Sequence, residues 1–205
     1  MTIRRGVNDS LRWKENKNGT FSVKSFYSSL SRDIKTPFPA RTIWTPWVPI
    51  RASFFGWEAA WSRLLTTDRL KRFDWSIPNR CFLCKNQEET IDHLLLFCEK
   101  TIMLWLLILS LFGVQWVMHS SVKKNLLGWH GSFVGKKREK AWRTAPLYLM
   151  WTIWKERNRR AFDDIERNDQ DIKSIFLYTF VNWARVYIKE HTFSLIDFVD
   201  WLATT

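Results

Sequence analysis

Apolar positions along most of this chain recur with the period of a helix. Phe54, Trp57, Trp61 and Leu64 fall at i, i+3, i+7 and i+10, which predicts a helix over Ile50 to Leu65 with its aromatic stripe in the core. Ile172, Ile175, Phe176, Phe180, Trp183 and Val186 predict a long helix near the end, capped by Asp169 or Asp171. Ile196, Val199 and Trp201 predict a short final one. Between these, Ser121 to Trp129 reads as a short helix, and Lys136 to Arg160 as a helical stretch with Pro146 inside. Proline disfavours helical geometry in the residue before it, so a break at Ala145 and a fresh start at Pro146 are expected.

The N-terminal pattern differs. Leu11 to Lys14 and Thr20 to Val23 flank Asn18-Gly19, a dipeptide suited to a tight turn, and predict a small β-hairpin. Ser22 or Ser25 then caps a short helix through Phe26, Tyr27 and Leu30, and Thr36-Pro-Phe-Pro39 ends it. Thr67 is an N-cap candidate for a short helix through Leu70 and Arg72. The fold expected is mainly α, with an N-terminal hairpin, a zinc-knuckle-like unit and a C-terminal helical bundle. The division expected is residues 1–112 and 113–205.

One apolar run changes the picture. Thr101 to Val122 contains no Asp, Glu, Lys or Arg. Its dense part stops at Phe112, short of the roughly 20 apolar residues a membrane span needs. A buried helix is expected there. The polar residues after Met1 do not form a secretory signal, and no membrane partner is expected.

The cysteines supply the candidate chemistry. All three lie in Cys81-x2-Cys84-x8-His93-x4-Cys98. A Cys81–Cys84 disulfide beside a buried Cys98 thiol is the plain alternative, but the odd count and the lack of a secretory signal disfavour a disulfide framework. Three thiolates and one imidazole make a closed tetrahedral set for a structural Zn2+. Residues five apart do not share a face of an α-helix, so the helix bearing His93 is expected to end or distort before Cys98. Three thiolates around Zn2+ leave a net charge of −1, which Arg80, Lys85 and Lys100 are placed to offset. Glu88, Glu89, Asp92 or a backbone carbonyl are candidate acceptors for the free ring N–H of His93.

These residues resemble a known family. Gly19 to Tyr27, Ile43-Trp44, Pro49, Phe54-Phe55-x-Trp57-x-Ala59, Leu64-x-x-Thr67-Asp68-x-Leu70, the four ligands, Glu88, Leu94 and Trp105 stand in the order of the zinc-binding domain of plant LINE-type (non-LTR) retrotransposon reverse transcriptases. Trp151 to Asn158 is similar to the tail that follows it. The resemblance implies a terminal module associated with nucleic acid, whose partner is RNA or DNA and whose neighbour is a polymerase domain. It implies an intracellular setting, nuclear or cytoplasmic.

Charge points the same way. The chain carries a formal +12. Residues 123–160 hold 11 basic and 2 acidic side chains, a net +9, whereas 161–205 hold 4 and 8, a net −4. Lys136, Lys137, Arg138, Lys140 and Arg143 precede the apolar stretch after Pro146, and Lys155, Arg157, Arg159 and Arg160 follow it. On a continuous helix they form two patches about 27 Å apart, suited to phosphate contact. A solvated basic surface is the plainer reading.

No catalytic site is expected. Phe162-Asp163-Asp164 follows a basic helix rather than a strand, so it does not resemble a polymerase metal site. Gly131 to Lys137 misses the phosphate-loop spacing by one residue and lacks the Ser or Thr after lysine. His119, His130 and His191 stand alone. The rival to nucleic-acid binding is a protein-docking module, marked by exposed tryptophans rather than exposed cations. A decayed retroelement remnant is the third reading.

Overall fold

The computed structural model describes residues 12–31, 37–129, 134–188 and 194–203. Leu11, Thr36, His130, Gly131 and His191 lie outside them. The chain forms two compact units, Met1–Pro37 and Phe38–Thr205.

In the first unit the expected hairpin is replaced by a turn and a helix. The turn at Asn16 to Gly19 does form. The Trp13 N–H donates to the Gly19 carbonyl at 2.9 Å, and Gly19 takes φ +67°, a left-handed value glycine adopts without a Cβ clash. No strand pairing follows, and no strand occurs among the described residues. The reason is local. The Ser25 N–H donates to Ser22 Oγ, and the Ser22 N–H to Ser25 Oγ, a reciprocal cap that starts α1 (Val23–Ser31) where the second strand would have run. A lone two-stranded hairpin is marginal in water. Trp13, Phe21 and Phe26 instead form a small aromatic cluster, with ring centroids 5.2 to 6.1 Å apart.

The second unit is helical among its described residues. It contains α2 (Ala40–Ile43), α3 (Ile50–Ala60), α4 (Thr67–Lys71), α5 (Glu99–Phe112), α6 (Val122–Trp129), α7 (Gly135–Asn158), α8 (Asp169–Trp183) and α9 (Leu195–Ala203). Helix α7 is its axis and packs against α3, α5 and α8. Leu147, Tyr148, Leu149, Met150 and Ile153 are fully buried along it.

Helix α7 does not break at Pro146. Proline removes the N–H that would bond the carbonyl of Trp142, four residues earlier. That carbonyl accepts the indole N–H of Trp129 at 2.8 Å, and the two indoles stack with centroids 4.0 Å apart. Thr144 Oγ1 donates back to the Lys140 and Ala141 carbonyls, also inside the helix. A partner from α6 therefore satisfies what the proline frees.

Helix α5 is the buried apolar helix expected. It stops at Gly113, whose left-handed φ of +65° permits the paired C-terminal bonds Val114 N–H to Leu109 O and Gly113 N–H to Ser110 O. No helix among the described residues is long and apolar enough to cross a membrane.

Helix α3 departs most from expectation. It ends at Ala60, followed by Ser62 at φ +53°, rather than running to Leu65. Its buried face is Ala52, Ser53, Phe55, Gly56, Ala59 and Ala60. The predicted stripe faces out: Phe54 is 55% exposed, Trp57 41% and Trp61 38%, and of the four only Leu64 is buried. Small residues let α3 approach α7 closely. A Cβ on Gly56 would stand 2.5 Å from Leu147 Cδ2. Close helix packing therefore decides which face is buried, and it selects the small side.

Two caps also shift. Thr66 rather than Thr67 precedes α4, and Asn168, accepting the Asp171 N–H at 2.8 Å, caps α8 in place of Asp169 or Asp171.

Candidate metal centre

The ligand loop is built by turns. The Cys81 N–H donates to the Gln87 carbonyl and the Lys85 N–H to the Cys81 carbonyl, at 2.8 and 2.9 Å. Lys85 takes φ +59°, so the chain folds back after Cys84. Arg80 Nε closes the loop onto the Lys85 carbonyl.

The second ligand pair arrives on a distorted helix. His93–Phe97 is one π-helical turn, and the Cys98 N–H bonds the His93 carbonyl at 2.6 Å. An i→i+5 bond is the feature that brings residues five apart to one side of the backbone. The wider turn thus supplies what an α-helix cannot. Cys98 then adopts extended geometry and stands at the N-cap of α5, where a hydrogen bond from Cys81 and, less, the Lys100 backbone N–H favour a thiolate.

The ligand atoms of Cys81, Cys84, His93 and Cys98 all lie within 4.8 Å of one another. Cys84 Sγ and His93 Nε2 are 3.4 Å apart. Ligands at Zn–S of about 2.3 Å in a tetrahedron have sulfurs about 3.8 Å apart. The geometry therefore fits a single ion of that size. Cys81 and Cys98 are buried, and no disulfide links the three cysteines. Crowding perturbs their protons. A hydrogen bond to Cys98 and burial push the Cys81 thiol up to about 12. The same bond, received by Cys98, lowers that thiol, and Cys81 raises the His93 imidazole. A divalent cation would replace these shared protons.

Two of the acceptors suggested for His93, Asp92 and Glu89, are engaged elsewhere. Asp92 Oδ1 accepts the Val122 N–H at 2.8 Å, at the start of α6. Glu89 is fully buried and accepts the Thr67 N–H at 3.1 Å, the Phe82 N–H at 3.2 Å and the Arg157 guanidinium, with Nη2 at 2.7 Å. One carboxylate thus caps α4, holds the turn after Cys81 and grips α7. The Arg157 guanidinium also lies over the rings of Phe82 and Trp154. Nothing local in the sequence signals this pair, whose members lie 68 residues apart.

Lys85 and Lys100 reach α8 and its approach rather than the ligands alone. Lys85 pairs with Glu166 at 2.6 Å and Lys100 with Asp169 at 2.8 Å.

The expected basic surface needs correction at three of its nine residues. Arg157 is 3% exposed and bound to Glu89. Arg160 is buried and donates to Glu156, to Glu166 and to the carbonyl of Leu83 in the ligand loop. Arg138 is buried and donates to the carbonyls of Phe112 and Leu202, satisfying groups at the C-terminal ends of α5 and α9. Arg138 and Arg157 are buried on α7 and Arg160 on the π-helical turn that follows it, where desolvation demands a partner. Lys136 and Lys155 are exposed, and Lys140, Arg143 and Arg159 are half-buried. Arg143 pairs with Glu139. Lys155 and Arg159 line a cavity of about 200 Å³ with Arg167 and Glu156. The side chain of Lys137 lies outside the described residues. Phe162-Asp163-Asp164 ends a π-helical turn, with Asp164 at φ +52°.

Residues 21–105 match the family described as zinc-binding in reverse transcriptase. The match covers less than half of the chain. It contains Cys81, Cys84, His93 and Cys98 and ends at Trp105, inside α5. The chain is also 25% identical over 195 residues to an Arabidopsis thaliana protein described as "Putative ribonuclease H protein". That match covers 91% of this chain and 30% of the relative, so the chain spans less than a third of the relative's length. No solved structure matches.

Proposed function

We propose that this protein is a non-catalytic zinc-stabilised module derived from the end of a LINE-type reverse transcriptase, and that it holds RNA or DNA for a polymerase domain. The observation that carries this reading is the convergence of Cys81, Cys84, His93 and Cys98 on one point inside the segment that matches that family. The four side chains would hold Zn2+ with no position left for substrate, so the ion would supply stability rather than catalysis. Its grip joins the ligand loop to α5. Glu89 with Arg157, and Arg160 with the Leu83 carbonyl, extend that grip to α7.

Lys136, Lys140, Lys155 and Arg159 support the nucleic-acid half of the reading. They flank the buried middle of α7 at its two ends, in a chain of net charge +12. The long Arabidopsis relative supports a retroelement origin, since its printed name describes a ribonuclease H protein and this chain matches a minor part of it.

Two measurements test the proposal. Purified protein should contain an equimolar amount of zinc, and chelation should abolish its cooperative unfolding, because structural zinc contributes on the order of 10 kcal/mol in small zinc peptides. A chain that keeps its fold without metal contradicts the structural role. Affinity for RNA or DNA should fall steeply with salt, and binding indifferent to salt contradicts phosphate contact.

A further inference from the structure

We propose that the outward face of α3 is a stacking platform for a single strand of RNA or DNA, a site that rests on the nucleic-acid reading above and gives it a place. Ile50, Phe54, Trp57 and Trp61 form one apolar stripe on the solvent side of the helix and its cap. Phe54 to Trp57 and Trp57 to Trp61 advance about 4.5 and 6 Å along the axis, steps comparable to those between bases of an extended strand. The rings are braced. Trp44 meets Phe54 edge-on with centroids 5.3 Å apart, and Phe38 lies nearly parallel to Trp61 at 5.6 Å.

Charge selects the occupant. Lys123 Nζ sits 4.3 Å from the centre of the Trp61 ring, so a cation stands at the edge of the platform. Arg51 is exposed on the same helix, and Arg41 is exposed on α2. Neither joins an ion pair among the described residues. Glu58 is the single acidic residue of α3. Beside the Phe38–Trp61 stack, a groove of about 520 Å³ runs between Phe38, Arg41 and the end of α6 at Leu126 to Gly128. Aromatic faces interleaved with cations bind single strands by stacking and backbone attraction together. Exposed tryptophans without cations would mark a protein-docking face, but here Lys123 lies over Trp61, and the cores of protein interfaces are depleted in lysine. A duplex keeps its bases stacked and has no free faces to offer.

The experiment compares the full chain with the double variant Phe54→Ala/Trp57→Ala, using a labelled oligouridylate, its deoxy counterpart and a duplex of equal length. Both positions are exposed, so circular dichroism should be unchanged. The platform predicts an affinity loss for single strands of about 10- to 100-fold, with the salt slope retained and duplex binding little altered. Indole fluorescence of the wild type should be quenched by the single strands. Wild-type affinity in the double variant, while Lys136→Ala/Lys155→Ala weakens binding, would overturn the platform and leave the proposed function standing. No binding by the wild type would remove both. Loss of a wild-type dimer in the variant, with binding unchanged, would assign the face to a second copy of the chain and overturn the platform.

Discussion

Trp105, Trp129 and Trp142 and the stripe Phe54, Trp57 and Trp61 belong to the same unit and have opposite fates. The first three are fully buried, with Trp129 and Trp142 stacked and Trp105 5.4 Å from Trp129. Their indole N–H groups donate in turn to the carbonyls of Leu95, Trp142 and Trp129. The second three are exposed on α3 and its cap, whose opposite face is alanine, serine and glycine apart from Phe55. The difference teaches that bulk and apolarity do not by themselves bury a side chain. A tryptophan is buried where a partner both covers its ring and accepts its N–H. At the α3–α7 contact Phe55 of α3 packs against Trp151 and Trp154 of α7, whereas Gly56 lies so close to Leu147 that no larger side chain fits at that point.

Substitutions can break or sharpen this contrast. The largest loss is expected on the inner side from Glu89→Gln, which leaves the Arg157 guanidinium buried against a neutral amide. It should destabilise by about 3–5 kcal/mol in denaturant titrations. An unchanged midpoint would mean that water reaches the pair. Trp142→Ala should cost a comparable or slightly smaller amount, about 3–5 kcal/mol, as it opens a cavity between Trp129 and Phe112. Trp129→Phe keeps an aromatic ring, smaller than the indole, and removes the donor to the carbonyl freed by Pro146. A loss of about 1–3 kcal/mol is expected, and none if that carbonyl finds water.

The contact between the two sides is tested by Gly56→Ala. Its new methyl meets Leu147, so overpacking should cost about 1–3 kcal/mol. A gain in stability would show that Leu147 has room to move. Least of all, Trp57→Ser should change unfolding by no more than about 0.5 kcal/mol. A larger loss would place that indole in a packed environment and end the contrast.

That Cys81, Cys84, His93 and Cys98 would meet was legible in the chain, because three cysteines and a histidine at that spacing have few other uses. The sequence by itself determined α5 and its stop, because an uncharged apolar run closed by glycine has a local cause. It determined that something must distort between His93 and Cys98, and the π-helical turn is that distortion. Which side of α3 is inward depends on its packing against α7, since periodicity defines a stripe and not the neighbour it faces. Only the tertiary structure decided that Pro146 leaves α7 whole, because the Trp129 indole comes from another helix. The same holds for Arg138, Arg157 and Arg160. A charge count treats every arginine alike, and the carboxylate and carbonyls that draw these three inward lie far away in the chain.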